Sequence, residues 1–274
     1  MRLLIALGVA LACVVLVSAA QENPTVAREP FDQVLDLYVR DGLVYYRTLK
    51  LERARLDGYV ASLANQSIDS GPREQRLAFW LNAYNALALK TVIDHYPIPR
   101  RSQDYPDRSI RQIPGAFERL QHRVAGRMLT LDGIEQTMLA PFRDPRVYFA
   151  IGRGAIGGGR LRSEAFAPGL LEAQLSDVAT ECVARAQCIE VDSQNNRVSI
   201  SSIFSWRSDD FIAGYAAAAL APFATRSPIE RAALGFVEPR LLATEREFLV
   251  RNQFKVDFKP FDWTLNDLTG RGGR

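Results

Sequence analysis

The sequence predicts a helix-rich α+β fold, a single domain around a small, largely antiparallel sheet. Three observations carry this. Apolar residues recur at helical spacing through most of the 274-residue chain. Two pairs of short extended runs flank turn residues, as hairpins do. No internal repeat and no long linker separates one half of the chain from the other. The composition, 47% hydrophobic and 24% charged, is that of an ordinary globular protein, and a net charge of +3 offers nucleic acid no basic footprint.

In chain order, Phe31, Val34, Leu35, Tyr38 and Val39 mark a first helix that Asp41-Gly42 ends, and Val44-Tyr45-Tyr46 forms a short extended piece. A second helix covers Leu51 to Ala64. From Pro72 a long central helix, with Trp80, Leu81, Tyr84, Leu87, Val92 and Ile93 giving a broad apolar surface, reaches His95 before Pro97 stops it. The segment from Arg100 to Gly115 is a basic loop. Residues 122–125 and 127–130 form a hairpin around Gly126, and a helix follows from Leu131 to Leu139. Arg146 to Ile151 is expected to be a buried strand running into a glycine-rich turn, residues 152–160. A helix from Pro168 to Ala186, a hairpin of residues 188–191 and 197–200, and a buried helix from Ala213 to Ala221 come next. Helices at 228–234 and 239–251 precede a last strand, Phe254 to Phe258.

Met1 and Arg2, an apolar run from Leu3 to Val17, and Ser18-Ala19-Ala20 have the order of a cleavable secretory signal over residues 1–20. The run falls short of the roughly 20 residues that span a bilayer, so no permanent span is expected after cleavage. Lipid anchoring at Cys13 is the weaker reading, because the apolar run continues past it. A polar lead (21–30), the domain itself (31–267) and a flexible tail (268–274) complete the organisation, with a secreted or periplasmic destination. An oxidising compartment would allow Cys182 and Cys188 to pair; the alternative is two small buried hydrophobes. His95 and His122 show no ligand spacing with the cysteines, so neither a metal nor a cofactor is expected.

Two features could carry chemistry. Asn82 and Asn85 place carboxamides three residues apart on the long helix, either to fix neighbouring loops or to line a cleft. The glycine turn could hold an anion on its backbone N–H groups, Gly157 and Gly158 among them, with Arg153, Arg160 and Arg162 as planar donors and Trp206 beside the ligand. It lacks the spacing of a phosphate loop or a dinucleotide fold. The alternative is internal pairing of the arginines with Glu164, Glu135 or Asp210. Those three carboxylates are also the candidates for acid–base catalysis.

The chain resembles the domain of unknown function 547 family from about Phe31 to Asp267. The resemblance rests on five runs: Ala78–Leu87, Leu129–Glu135, Asp144-Pro145-Arg146, Ser201–Trp206 with Asp210-Phe211, and Asp262–Asp267. Many members carry Cys-Ala-Ser-x-Gly-Cys-Pro-x-Leu-Arg after the strand, and histidines after Ile-Glu and after Asp-Pro-Arg-Ile. Here the cysteine positions are Arg153 and Gly158 and the histidine positions Gln136 and Tyr148. Thiol and thiol–imidazole chemistry is therefore not implied for this chain.

Three functions remain open at this point. One is an exported binding module whose turn receives an anionic small molecule or a peptide carboxylate. Another is a hydrolase- or transferase-type enzyme using Glu135, Glu164 or Asp210. The last is a structural protein-interaction domain. Convergence of Asn82, Glu135, Arg153 and Asp210 on an open cleft would favour the first two; burial and mutual bonding of these residues would favour the third.

Overall fold

The computed structural model describes residues 30–269. The signal segment, Cys13, most of the polar lead and the last five residues of the chain lie outside the described residues. Helix α1 (Pro30–Tyr38) buries Phe31, Val34, Leu35 and Tyr38, as their spacing requires, and runs into the tight hairpin β1 (Val39–Arg40) and β2 (Leu43–Val44). Tyr46 does not extend β2. It opens a separate helix, α2 (Tyr46–Leu51), so the helix expected from Leu51 begins only at α3 (Ala54–Leu63).

Helix α4 (Arg73–His95) is the central element, with fifteen buried residues. Around it lie the hairpin β3 (His122–Val124) and β4 (Arg127–Leu129), then α5 (Leu131–Gly133), which widens into a π-helical stretch (Ile134–Leu139). The hairpin turns through Ala125 and Gly126, both at positive φ, and their amides bond Leu63 O and Ala64 O at the end of α3.

The run expected to be a buried strand is instead α6 (Val147–Ala150), all four residues buried. The carboxylate of Asp144 accepts from Arg146 N at 3.1 Å and its carbonyl from Val147 N at 3.1 Å, which nucleates a helical turn after Pro145. A short, wholly apolar run has no periodicity that separates these two outcomes.

Helix α7 (Leu171–Val183) precedes β5 (Ile189–Asp192) and β6 (Arg197–Ser201), which pair antiparallel. Then come α8 (Ser202–Trp206), α9 (Ser208–Tyr215), α10 (Pro228–Val237), α11 (Ala243–Val250) and β7 (Lys255–Lys259), which adds to β6 in parallel. The small sheets are thus antiparallel but for one pair. The buried helix expected over Ala213 to Ala221 is corrected: α9 ends at Tyr215, and Ala213, Ala217 and Ala218 are exposed. Alanine methyls bury too little area to force such a segment inward.

An aromatic cluster joins α6 to the C-terminal helices. Phe149 meets Phe204, Phe211 and Phe236 at ring separations of 5.2, 5.9 and 5.5 Å. The segment after β7 then returns across the molecule. Ile156 N and Gly157 N bond Thr264 O and Asp262 O, and Val44 N bonds Asn266 O, so residues 262–268 stitch the glycine turn to the first hairpin. Asn266 is the buried knot: its carboxamide accepts from Tyr46 Oη at 2.7 Å and donates to Gly42 O at 2.9 Å. Asn266→Ala is expected to lower unfolding free energy by about 2–4 kcal/mol, since two buried groups lose their partners. Chemical denaturation measures this, and a loss under about 0.5 kcal/mol, the level of ordinary surface substitutions, would contradict the assignment.

Candidate functional site

The glycine turn leaves α6 and passes between α4 and the C-terminal segment. Two of its glycines are steric requirements. A Cβ on Gly159 would fall 1.6 Å from Phe149 O, and one on Gly157 2.6 Å from Asp262 N. The backbone therefore runs in direct contact with two other segments. Much of its hydrogen bonding is internal: Gly152 N donates to Asn85, Gly154 N to Gly152 O, and Gly158 N to Ala155 O.

Both asparagines of α4 act as clamps on backbone. Asn85 donates to Ala150 O at 3.1 Å and accepts from Gly152 N at 2.8 Å, fixing both ends of the passage from α6 into the turn. Asn82 makes the same pair of bonds to Phe166, at 2.8 and 2.9 Å.

Arg153 does not face solvent. It is 4% exposed, donates to Tyr148 O at 3.0 Å and pairs with Glu135 at 2.7 Å. Arg207 closes on the same Glu135 oxygen through Nε at 3.0 Å, and its guanidinium lies 5.1 Å from the Tyr148 ring centre. Tyr148 in turn donates to Asp210. Burial pushes the Glu135 carboxyl up, but the two arginines outweigh it and hold the group below the usual carboxylate range. Burial first, then the Asp210 bond, pushes the Tyr148 phenol up. The two positions where the resemblance expects a cysteine and a histidine, Arg153 and Tyr148, thus belong to a bonded network. Asn82, Glu135, Arg153 and Asp210 do not converge on an open cleft.

The outer half of the turn is different. Gly157, Gly158 and Gly159 form one wall of a recess made of adjoining cavities, the larger two of about 230 and 190 Å³. The opposite wall is the loop between Cys182 and Cys188, which are joined by a disulfide, and it presents Arg185, Ala186 and Gln187. At the mouth, Arg160 Nε and Arg185 Nη2 meet one oxygen of Asp41 at 3.1 and 2.6 Å; Asp41 has 73% of its side chain exposed. Arg160 also reaches Glu181 at 2.9 Å. At the other end are Lys259, bonded to Ala186 O and Glu190, Phe261, and Ser202, whose buried hydroxyl has no hydrogen-bond partner.

Arg162 and Glu164 pair with each other on a neighbouring groove, and Gln174 braces that segment through Ala165 O and Ala167 N. Trp206 is 47% exposed and packs on Phe261 at 4.9 Å and Trp263 at 6.2 Å. Sequence reasoning missed Arg207, Arg185, Gln187, Ser202, Lys259 and Phe261. The cysteine pair bracketing Arg185 and Gln187 and the run Ser201–Trp206 containing Ser202 were the available signals; Arg207, Lys259 and Phe261 join the site only through tertiary packing.

Residues 68–183 match the model of a family described as "Protein of unknown function, DUF547". The matched segment contains α4, the Glu135–Arg153 pair and the glycine turn, and it ends inside the disulfide loop. The runs at 201–211 and 262–267 on which the resemblance also rested lie beyond it. No curated protein and no solved structure matches the chain.

The buried pair makes two expectations. Arg153→Ala should cost about 3–5 kcal/mol, because it strands a buried carboxylate, whereas Arg153→Met with Glu135→Leu should recover most of that loss. Since Glu135 is depressed in the folded state, its contribution is complete above the ordinary carboxylate range and is lost as pH falls through it and below. Denaturant midpoints between pH 7 and pH 3 should therefore fall more steeply for the wild type than for the double variant; parallel curves would contradict the pairing. Reducing the disulfide, which closes a short loop, should cost roughly 2 kcal/mol and raise amide exchange over residues 183–188. Unchanged exchange there would show that the loop is held by other contacts.

Proposed function

We propose that this chain, which belongs to the DUF547 family through residues 68–183, is an exported, non-catalytic binding domain that receives a carboxylate-bearing ligand at the outer half of its glycine turn. One observation carries the reading: Arg160 and Arg185, from different segments, converge on a single carboxylate oxygen, that of Asp41, at the mouth of a recess. Arg185 donates to that oxygen, and Arg160 Nε lies 3.1 Å from it with no hydrogen bond of its own, so two guanidinium groups border one point, as a carboxylate receptor requires. Asp41 occupies it from the tight turn between β1 and β2, and because that side chain is largely exposed, exchange for a ligand carboxylate costs little desolvation.

The geometry gives the enzyme reading less support. Glu135 is 4% exposed and held ionised between two arginines, so it has neither a proton to give nor access to a substrate. Asp210 is bonded to Tyr148, and Glu164 to Arg162. The bonded network supports a structural role for the inner half of the turn, and that role is compatible with ligand binding at the outer half.

Binding of a tripeptide with a free C-terminus, followed by calorimetry, tests this. Arg160→Ala and Arg185→Ala should each weaken it about tenfold, the loss of a charge-assisted bond, with the fold intact by circular dichroism. Asp41→Asn, which removes the resident competitor, should strengthen it. Weaker binding in Asp41→Asn, or full binding in both arginine variants, would overturn the reading.

A further inference from the structure

Resting on that reading, we infer that the recess and the aromatic ledge beside it form one elongated site for an acidic oligosaccharide, a chain of sugar rings carrying carboxylates. The cavity at the Lys259 end is lined by Phe261 and Pro260 together with Ser202, Gln187, Lys259 and Asp262. Phe261 continues outward into Trp206 at 4.9 Å and Trp263 at 4.3 Å, so the cavity opens onto a ledge of three rings, with Trp206 nearly half exposed.

Ser202 decides what such a cavity holds. The residue is 8% exposed, yet its hydroxyl has no partner. An unbonded buried hydroxyl is costly unless a ligand completes it. Gln187 is exposed and its carboxamide makes no hydrogen bond within the described residues, so it too is free to bond a guest. An apolar guest would leave Ser202 and Gln187 unmet. A sugar ring meets both demands: its hydroxyls donate and accept, and its C–H face lies on an aromatic ring. Lys259 adds a cation whose carboxylate partner, Glu190, is exposed and therefore readily exchanged. The carboxylate receptor of Arg160 and Arg185 shares Gln187 and the glycine turn with this cavity, so a ligand several rings long would engage both.

The test uses the full chain and three probes: a trimer of galacturonate, a neutral trisaccharide, and the tripeptide with a free C-terminus. The galacturonate trimer should bind at least tenfold tighter than either of the others. Phe261→Ala and Ser202→Ala should each weaken the trimer at least fivefold and leave the tripeptide unchanged; Ser202→Ala removes an unbonded hydroxyl and so leaves the fold intact. If the tripeptide binds as tightly as the trimer, or both variants bind the trimer normally, the oligosaccharide inference falls and the carboxylate receptor stands. If the neutral trisaccharide binds as well as the acidic one, the inference also falls. If neither carboxylate probe binds, both fall.

Discussion

The buried ion pair of Glu135 and Arg153 is the interaction on which the rest of the structure depends. Two charges withdrawn from water are costly, and they persist only where geometry and further hydrogen bonds offset the loss. Here Arg207 supplies a second cation and Tyr148 O a further acceptor, so the pair locks three parts of the chain to one another: the π-helical stretch, the start of the glycine turn, and the junction of α8 and α9. Once these are fixed, α6 is held with Phe149 facing the cluster of Phe204, Phe211 and Phe236. The inner half of the turn is committed to holding the fold.

That commitment leaves the outer half free. Beyond Gly154 the turn is backed by the returning C-terminal segment and walled by a loop that the disulfide closes, so concavity arises where three chain segments meet without filling the space between them. Arg185 and Lys259 there are held by exposed carboxylates, Asp41 and Glu190, and Arg160 by Asp41 and the half-buried Glu181, in contrast with the buried Glu135. The same residue types thus have opposite roles a few positions apart. Burial decides which: Arg153 is tied into the core, whereas Arg185 at the rim is held by the exposed Asp41 and Arg160 is shared between Asp41 and Glu181.

Much of the fold was legible in the sequence because its elements are set by local pattern. The long helix follows from the spacing of Trp80, Leu81, Tyr84 and Leu87, and the hairpins from their turn residues. Arg146 to Ile151 was misread because a short run buried on every side carries no period, and the alanine-rich stretch after Asp210 because composition says little about burial of small side chains. Within the site, the glycine turn and Arg160 stood out by composition. The partition of the turn into an inner and an outer half did not, since it depends on Glu135 reaching Arg153 across 18 positions and on Arg185 meeting Asp41 across 144. The ledge of Trp206, Phe261 and Trp263 is likewise a product of packing between distant segments.

The division of the turn is most directly tested by mapping backbone amide shifts during titration with the galacturonate trimer. Ligand-induced shifts should concentrate at Gly157–Gly159, at residues 183–188 and at Asp41, leaving Arg153, Glu135 and Tyr148 unmoved. Shifts centred on Arg153 and Tyr148, with the disulfide loop silent, would contradict the account.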